Sequence, residues 1–139
     1  MPIRAAIERL KAEYFRTLDG KDWDAFAALF TSDCAFVTYR GPGNTRPRQR
    51  CGGTEIAASV RRTVGDATTA HRGQMIELTI VSQDRATAVW KMTDRAEMPG
   101  GGAFLRMSGA GRYYEEYRRI GSEWLIARLE LRRTALNVE

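Results

Sequence analysis

Histidine is nearly absent from this sequence: His71 is the single imidazole in 139 residues. Metal sites built on two or three imidazoles are therefore excluded, and proton chemistry near neutral pH falls on one side chain. Cysteine is almost as scarce. Cys34 and Cys51 alone cannot build a disulfide or zinc framework, so a reducing, cytoplasmic compartment is expected. No stretch approaches the roughly 20 apolar residues of a bilayer span. Met1 to Arg4 runs directly into an amphipathic pattern without the apolar core of a leader, so neither secretion nor membrane insertion is expected. The chain also lacks a Rossmann glycine signature and a phosphate-binding loop. Gly100-Gly101-Gly102 has no helix after it and reads as a hairpin turn, and no cofactor is expected.

What remains is an ordinary globular composition, with 43% apolar, 9% aromatic and 28% charged residues, in a length that suits one domain spanning residues 1–139. The net charge of +5 raises the question of nucleic acid. The basic residues are scattered, however, with Arg118, Arg119, Arg128, Arg132 and Arg133 interleaved with Glu115, Glu116, Glu123 and Glu130. Mixed signs fit a solvated, salt-bridged surface, and nucleic acid is not an expected partner. A basic rim that draws in anionic substrates fits the charge better.

Apolar residues at Ile3, Ala6, Ile7, Leu10, Tyr14 and Leu18 make one helical stripe, broken at Asp19-Gly20. Asp22 is placed to cap a second short helix carrying Trp23, Phe26, Ala27, Leu29 and Phe30. Residues 35–39 read as a strand, Gly41 to Gly53 as an exposed Gly/Pro-rich loop, and Thr54 to about Val64 as a third helix. Strands are expected over about Arg72–Val81, Ala86–Thr93, Leu105–Arg119 and Glu123–Arg133. In the last of these Trp124 and Ile126 share one parity while Leu129 and Leu131 share the other, which predicts a β-bulge near Ala127-Arg128 and a strongly curved sheet. The order predicts an α+β fold, with helices segregated on one face of an antiparallel sheet.

The string from Leu18-Asp19-Gly20 through Asp22-Trp23 to Leu29-Phe30 resembles the opening of SnoaL-like domains in the nuclear transport factor 2 superfamily. His71 ahead of the strand Met75 to Val81, Trp90 in the next strand, and Gly111-Arg112-Tyr113-Tyr114-Glu115-Glu116-Tyr117 leading to Trp124-Leu125-Ile126 fall where that family has such features. The resemblance runs from about Ile7 to Arg133. It implies a cone-shaped, cystatin-like α+β fold in which a curved antiparallel sheet wraps three N-terminal helices around a pocket, with homodimerisation across the outer sheet face. Fold alone does not fix function, because this superfold hosts many activities.

The dehydratase and dehydrochlorinase members use an aspartate at the end of the first helix and a histidine entering the strand after the third. Asp19 and His71 match those positions. In such a pair the carboxylate accepts an imidazole N–H, fixes its tautomer and raises its basicity, leaving the other nitrogen free to remove a proton from carbon. Asp19 in Leu18-Asp19-Gly20 equally suits a turn cap, with His71 a structural residue, and both readings stand at this point. The dehydrochlorinase lysine on the first helix falls at Tyr14, and its last-strand arginine falls at Leu129. A halide-leaving site would thus lack both cations. Arg128 is adjacent to Leu129 but faces the other way on a regular strand. The dehydratase's second histidine is absent.

The expected substrate-binding residues are Tyr14, Phe36, Tyr39, Met75, Trp90 and Met92, with Trp90 foremost and Phe26 and Phe30 beneath them. Tyr14 offers a hydroxyl to polarise a substrate oxygen. Cys34 has no thiolate-stabilising neighbour in sequence and is not expected to act as a nucleophile. The resulting expectation is a cofactor-independent lyase or isomerase with an Asp19–His71 base acting on a small hydrophobic molecule. The alternative is a non-catalytic ligand-binding or accessory dimerisation domain.

Overall fold

The structure, a computed structural model, describes residues 2–39, 41–43, 45–100 and 105–139. Helix α1, Ile3–Asp19, follows Pro2 and buries the predicted stripe of Ile7, Leu10, Tyr14 and Leu18. The short α2, Trp23–Ala27, is capped by Asp22, whose side chain accepts from the Ala25 N–H at 3.4 Å. It ends earlier than the apolar pattern suggested. The Leu29 carbonyl accepts from the Ile126 N–H at 2.9 Å, so the chain is captured by a strand and Phe30 opens β1, Phe30–Tyr39.

The expected Gly/Pro loop contains a strand, β2, Pro47–Cys51, paired antiparallel to β1. It lies at the sheet edge, where proline's missing N–H is tolerated. Then come α3, Gly53–Val64, and four long strands: β3, Thr68–Ile80, β4, Arg85–Glu97, β5, Arg106–Ile120, and β6, Glu123–Val138. Pro99 and Gly100 turn the chain out of β4, while Gly101 and Gly102 of the expected turn lie outside the described residues.

The sheet order is β2-β1-β6-β5-β4-β3. The α+β class holds, but the sheet is mixed rather than wholly antiparallel, because β1 runs parallel to β6. That pairing joins strands separated by most of the chain, a crossover that no local turn signal announces. Opposite β5, Ala127 is an unpaired extra residue of β6, which is the predicted bulge. A second bulge falls at Thr134 and a third at Ile76 of β3. Helix α1 contacts β6 and also β3, three strands away, so the sheet curls around it. Among the described residues no helix is long and apolar enough to cross a membrane.

Two fully buried charges lie inside this core. The Lys11 ammonium meets the Glu115 carboxylate at 2.5 Å and stands 3.5 Å from the centroid of the Tyr113 ring. Burial lowers the Lys11 ammonium to about 8, against the opposing pull of Glu115. Glu115 also accepts from the Tyr117 hydroxyl, which in turn accepts from the Trp90 indole N–H at 2.9 Å. Removing one member of such a pair strands the other charge in the core, at a cost of about 3–5 kcal/mol. Lys11→Met is therefore expected to lower unfolding free energy by about that amount in urea titrations, and Lys11→Met/Glu115→Leu to recover most of it. Equal instability of the single and double variants would contradict this.

Candidate active site

The inward face of β3 presents Thr69 and His71 to the C-terminal end of α1. There the Asp19 carboxylate accepts three hydrogen bonds: from the Thr69 hydroxyl at 2.9 Å, the His71 backbone N–H at 2.9 Å, and His71 Nδ1 at 2.6 Å. An ionised carboxylate has no proton to give, so Nδ1 carries the hydrogen, which in the neutral imidazole leaves the lone pair on Nε2. Partial burial raises the Asp19 carboxyl, but these hydrogen bonds outweigh it and leave its pKa below the ordinary value. The helix end closes without Asp19, through the Gly20 N–H on the Arg16 carbonyl at 2.9 Å and the Lys21 N–H on that of Leu18 at 3.1 Å. The Asp19 side chain is thus committed to β3 rather than to capping its own helix.

The His71 ring stacks on Phe15, with centroids 6.0 Å apart and planes 14° from parallel. Its Nε2 lies 3.7 Å from Asp94 Oδ2. Asp94 is 4% exposed yet fully answered, because Arg133 forks onto it at 2.9 and 2.7 Å. Two glycines make room for this fork. Asp94 of β4 sits opposite Gly109 of β5, and Arg133 of β6 opposite Gly111, so the two side chains meet across a strand bare on its inner face. A Cβ on Gly109 would stand 2.3 Å from Arg133 Nη1 and 2.6 Å from Asp94 Oδ1. On Gly111 it would stand 2.4 Å from the Arg132 carbonyl oxygen, which the bulge at Thr134 brings close.

A cavity of about 320 Å³ opens between the two edges of the curled sheet, lined by His71 from β3 and by Arg48 and Arg50 from β2. Its apolar wall includes Leu18, Val60, Val64 and Leu131. Tyr14 and Tyr113 also line it, and burial, before any neighbouring charge, raises both phenols above their ordinary values. They remain protonated and hydrogen-bonded to each other, with Tyr14 donating, which leaves the Tyr113 hydrogen for an oxygen in the cavity. Among the described residues no group of three His, Cys, Asp or Glu side chains could hold a metal.

Of the residues expected from sequence, Tyr14, Phe36, Tyr39 and His71 line this cavity. Asp19 stands behind His71, and Tyr39 also accepts from Arg132 at 2.9 Å. Met75, Trp90 and Met92 do not line it. They face inward, but Trp90 and Met92 are enclosed in the core cluster and Met75 packs against it, with the Trp90 N–H spent on Tyr117. Phe26 and Phe30 belong to the same cluster. Burial, then the charge of Glu115, pushes the Cys34 thiol up to about 12. The expected absence of a last-strand cation is corrected by Arg133, which shares the inward parity of Leu129 and Leu131. Arg128 faces outward toward Glu130, at 3.4 Å.

Asp94 and Arg133 are among the residues that the sequence reading missed, as are Arg48, Arg50 and Tyr113 of the lining; the first two are the more telling. Both had a signal. Asp94 interrupts the inward series Ala86, Ala88, Trp90, Met92 and Ala96, while Gly109-Ala110-Gly111 inside a strand marks a close approach.

Comparisons with known proteins agree with this architecture. The family model for the SnoaL-like domain matches residues 1–130. The probable cyclase FGR4 of Gibberella zeae is 25% identical over 140 residues, covering 93% of this chain and 89% of that protein. Among solved structures, the hexachlorocyclohexane dehydrochlorinase LinA-type3 from Novosphingobium barchaimii superposes with a TM-score of 0.80 at 20% identity, covering 98% of this chain and 89% of that one. A ketosteroid isomerase-like protein from Erwinia carotovora atroseptica gives 0.76 at 18% identity, covering 94% and 95%. At these identities the structural likenesses establish the fold.

Two outcomes follow from the geometry. A carboxyl with a lowered pKa stabilises the fold above its unfolded value, and that contribution is lost as pH falls through the folded value. Asp19→Asn is therefore expected to have a lower urea midpoint than the parent protein near neutral pH, with the gap closing on acidification below the ordinary carboxylate range. A gap independent of pH would contradict the assignment. Gly109→Ala, which forces the Asp94–Arg133 fork aside, is expected to cost about 1–3 kcal/mol in the same assay. A negligible cost would mean that the pair has room to move.

Proposed function

Since the chain belongs to the SnoaL-like domain family, with a nuclear transport factor 2-like fold, we propose that it is a cofactor-independent lyase or isomerase acting on a small, largely apolar molecule. One observation carries this reading. The 2.6 Å contact between His71 Nδ1 and Asp19 leaves Nε2, with its lone pair, at the wall of an open cavity. The Asp19 carboxylate orients the ring and stabilises the imidazolium that forms when Nε2 takes a proton from carbon. The backbone N–H of His71 on the second Asp19 oxygen fixes the carboxylate in turn. Asp94 faces the same nitrogen at 3.7 Å, where its charge adds to the stabilisation of the developing positive charge, while Arg133 holds its carboxylate in place through two hydrogen bonds.

The electron pair left on carbon needs an acceptor, and the buried, protonated Tyr113 hydroxyl, which accepts from that of Tyr14, can donate to an adjoining carbonyl oxygen as it becomes an oxyanion. Elimination, double-bond migration and carbanion-driven ring closure all begin with this proton removal. The names of the relatives, a cyclase, a dehydrochlorinase and an isomerase-like protein, fall within that range.

The test is exchange of carbon-bound hydrogen for deuterium in D2O, followed by NMR over a panel of ketones, phenols and cyclic enones. The parent protein is expected to catalyse exchange in at least one member. His71→Ala should lose about 10²–10⁴-fold of that rate, the usual worth of a general base. Asp19→Asn should lose rate with a smaller change in KM. Unchanged exchange in His71→Ala would end the general-base reading.

A further inference from the structure

The two walls of the cavity carry opposite chemistry. On the β3 side His71 is flanked by Asp19 and Asp94. On the β2 side Arg48 and Arg50, alternate residues of one strand, lie in register with Thr38 and Phe36 of β1, and all four line the cavity. Asp94 is the one acid in the lining, and Arg133 occupies it. Among the described residues neither Arg48 nor Arg50 has a carboxylate within ion-pair distance, nor has Arg95, which borders the cavity from β4, whereas the lining Arg133 has Asp94. Arg50 spends one N–H on the Gln49 carbonyl at 3.0 Å, and a guanidinium has four more.

Inward charges can serve merely to keep an edge strand from pairing with other chains. β2 is already protected by being five residues long and by Pro47, and its arginines, Arg48 exposed and Arg50 half-buried, stand at the mouth of the cavity. An apolar chamber with two unanswered guanidinium groups on one wall suits a ligand with an apolar body and one planar anion, since arginine matches a carboxylate bidentately. We propose that the substrate of this cavity is a small apolar acid whose carboxylate is held by Arg48 and Arg50, which presents its opposite end to His71. The inference rests on the reading of His71 and Asp19 as the reacting base. About 320 Å³ lies at the small end of ligand cavities, which limits the body to a compact ring system.

Binding, measured without turnover, separates the two ideas. Isothermal titration at low salt would compare 2-naphthoate with its neutral isostere 2-naphthamide. The expected result is a preference for naphthoate of about tenfold or more, from the charge-assisted hydrogen bonds. That preference should shrink with added salt, disappear in Arg48→Gln/Arg50→Gln and persist in part in Arg48→Lys/Arg50→Lys. Circular dichroism checks that each variant is folded. Equal affinity for the two probes, a preference untouched by the double Gln variant, or no naphthoate binding at millimolar concentration would each overturn the proposal. Hydrogen exchange that depends on His71 would survive any of these results, and loss of the general-base reading would leave the naphthoate preference to stand or fall alone.

Discussion

The ion pair between Lys11 and Glu115 is the contact on which the placement of the site depends. Taking two charges out of water costs several kcal/mol each, and attraction offsets this only when the geometry is good and the remaining hydrogen-bonding capacity is used. Both conditions are met: the ammonium lies on the Tyr113 ring face and against Tyr14, and the carboxylate takes a second hydrogen bond from Tyr117. A hydrophobic contact would allow α1 to slide or rotate on the sheet. A buried ion pair does not, because any displacement uncovers charge. Eight residues further along the same helix, about 12 Å at the usual rise, Asp19 is thereby delivered to His71.

The interior charges divide into separately balanced sets. Lys11 answers Glu115, Arg133 answers Asp94, and Asp19 is answered by three neutral donors from β3. The last set differs in kind. The first two are complete ion pairs at rest, whereas Asp19 faces an imidazole that becomes its cationic partner only on taking up a proton. A carboxylate held by such donors stores the capacity to stabilise that cation, which is what the base role proposed for His71 requires. Asp94, tied to Arg133 yet 3.7 Å from Nε2, reinforces the same preference without competing for the Nδ1 hydrogen.

Much of this was legible in the sequence, and the losses have specific causes. The α1 stripe, the Asp22 cap, the α3 span and the Ala127 bulge follow from periodicity and parity, which report local geometry. The Asp19–His71 contact spans 52 residues and was reachable only through the family resemblance. Strand β2 was hidden because Pro47 and the surrounding glycines are turn formers in isolation, and only the partner strand β1 makes an edge of them. Trp90 was misplaced because parity gives the face of a strand and not the depth along it. It shares the inward face with Asp94, but α1 closes the core over one end of that face and leaves the other open.

The bulge at Thr134 explains how both Arg133 and Leu136 come to occupy the inner face. A regular strand sends alternate residues inward, so Arg133 and Leu136, three apart, could not both face the cavity without an insertion between them. The extra residue Thr134 resets the parity, Gly111 lets β6 come close at that point, and Gly109 leaves the space into which the arginine extends. The same insertion bends the strand, and bending brings the β2 edge and the β3 edge to face each other across the cavity. Curvature of the sheet and the chemistry of its inner surface are therefore not independent features. An unbulged β6 would turn either Arg133 or Leu136 outward and flatten the wall that carries them, and in the first case Asp94 would be left buried beside His71 without its cation.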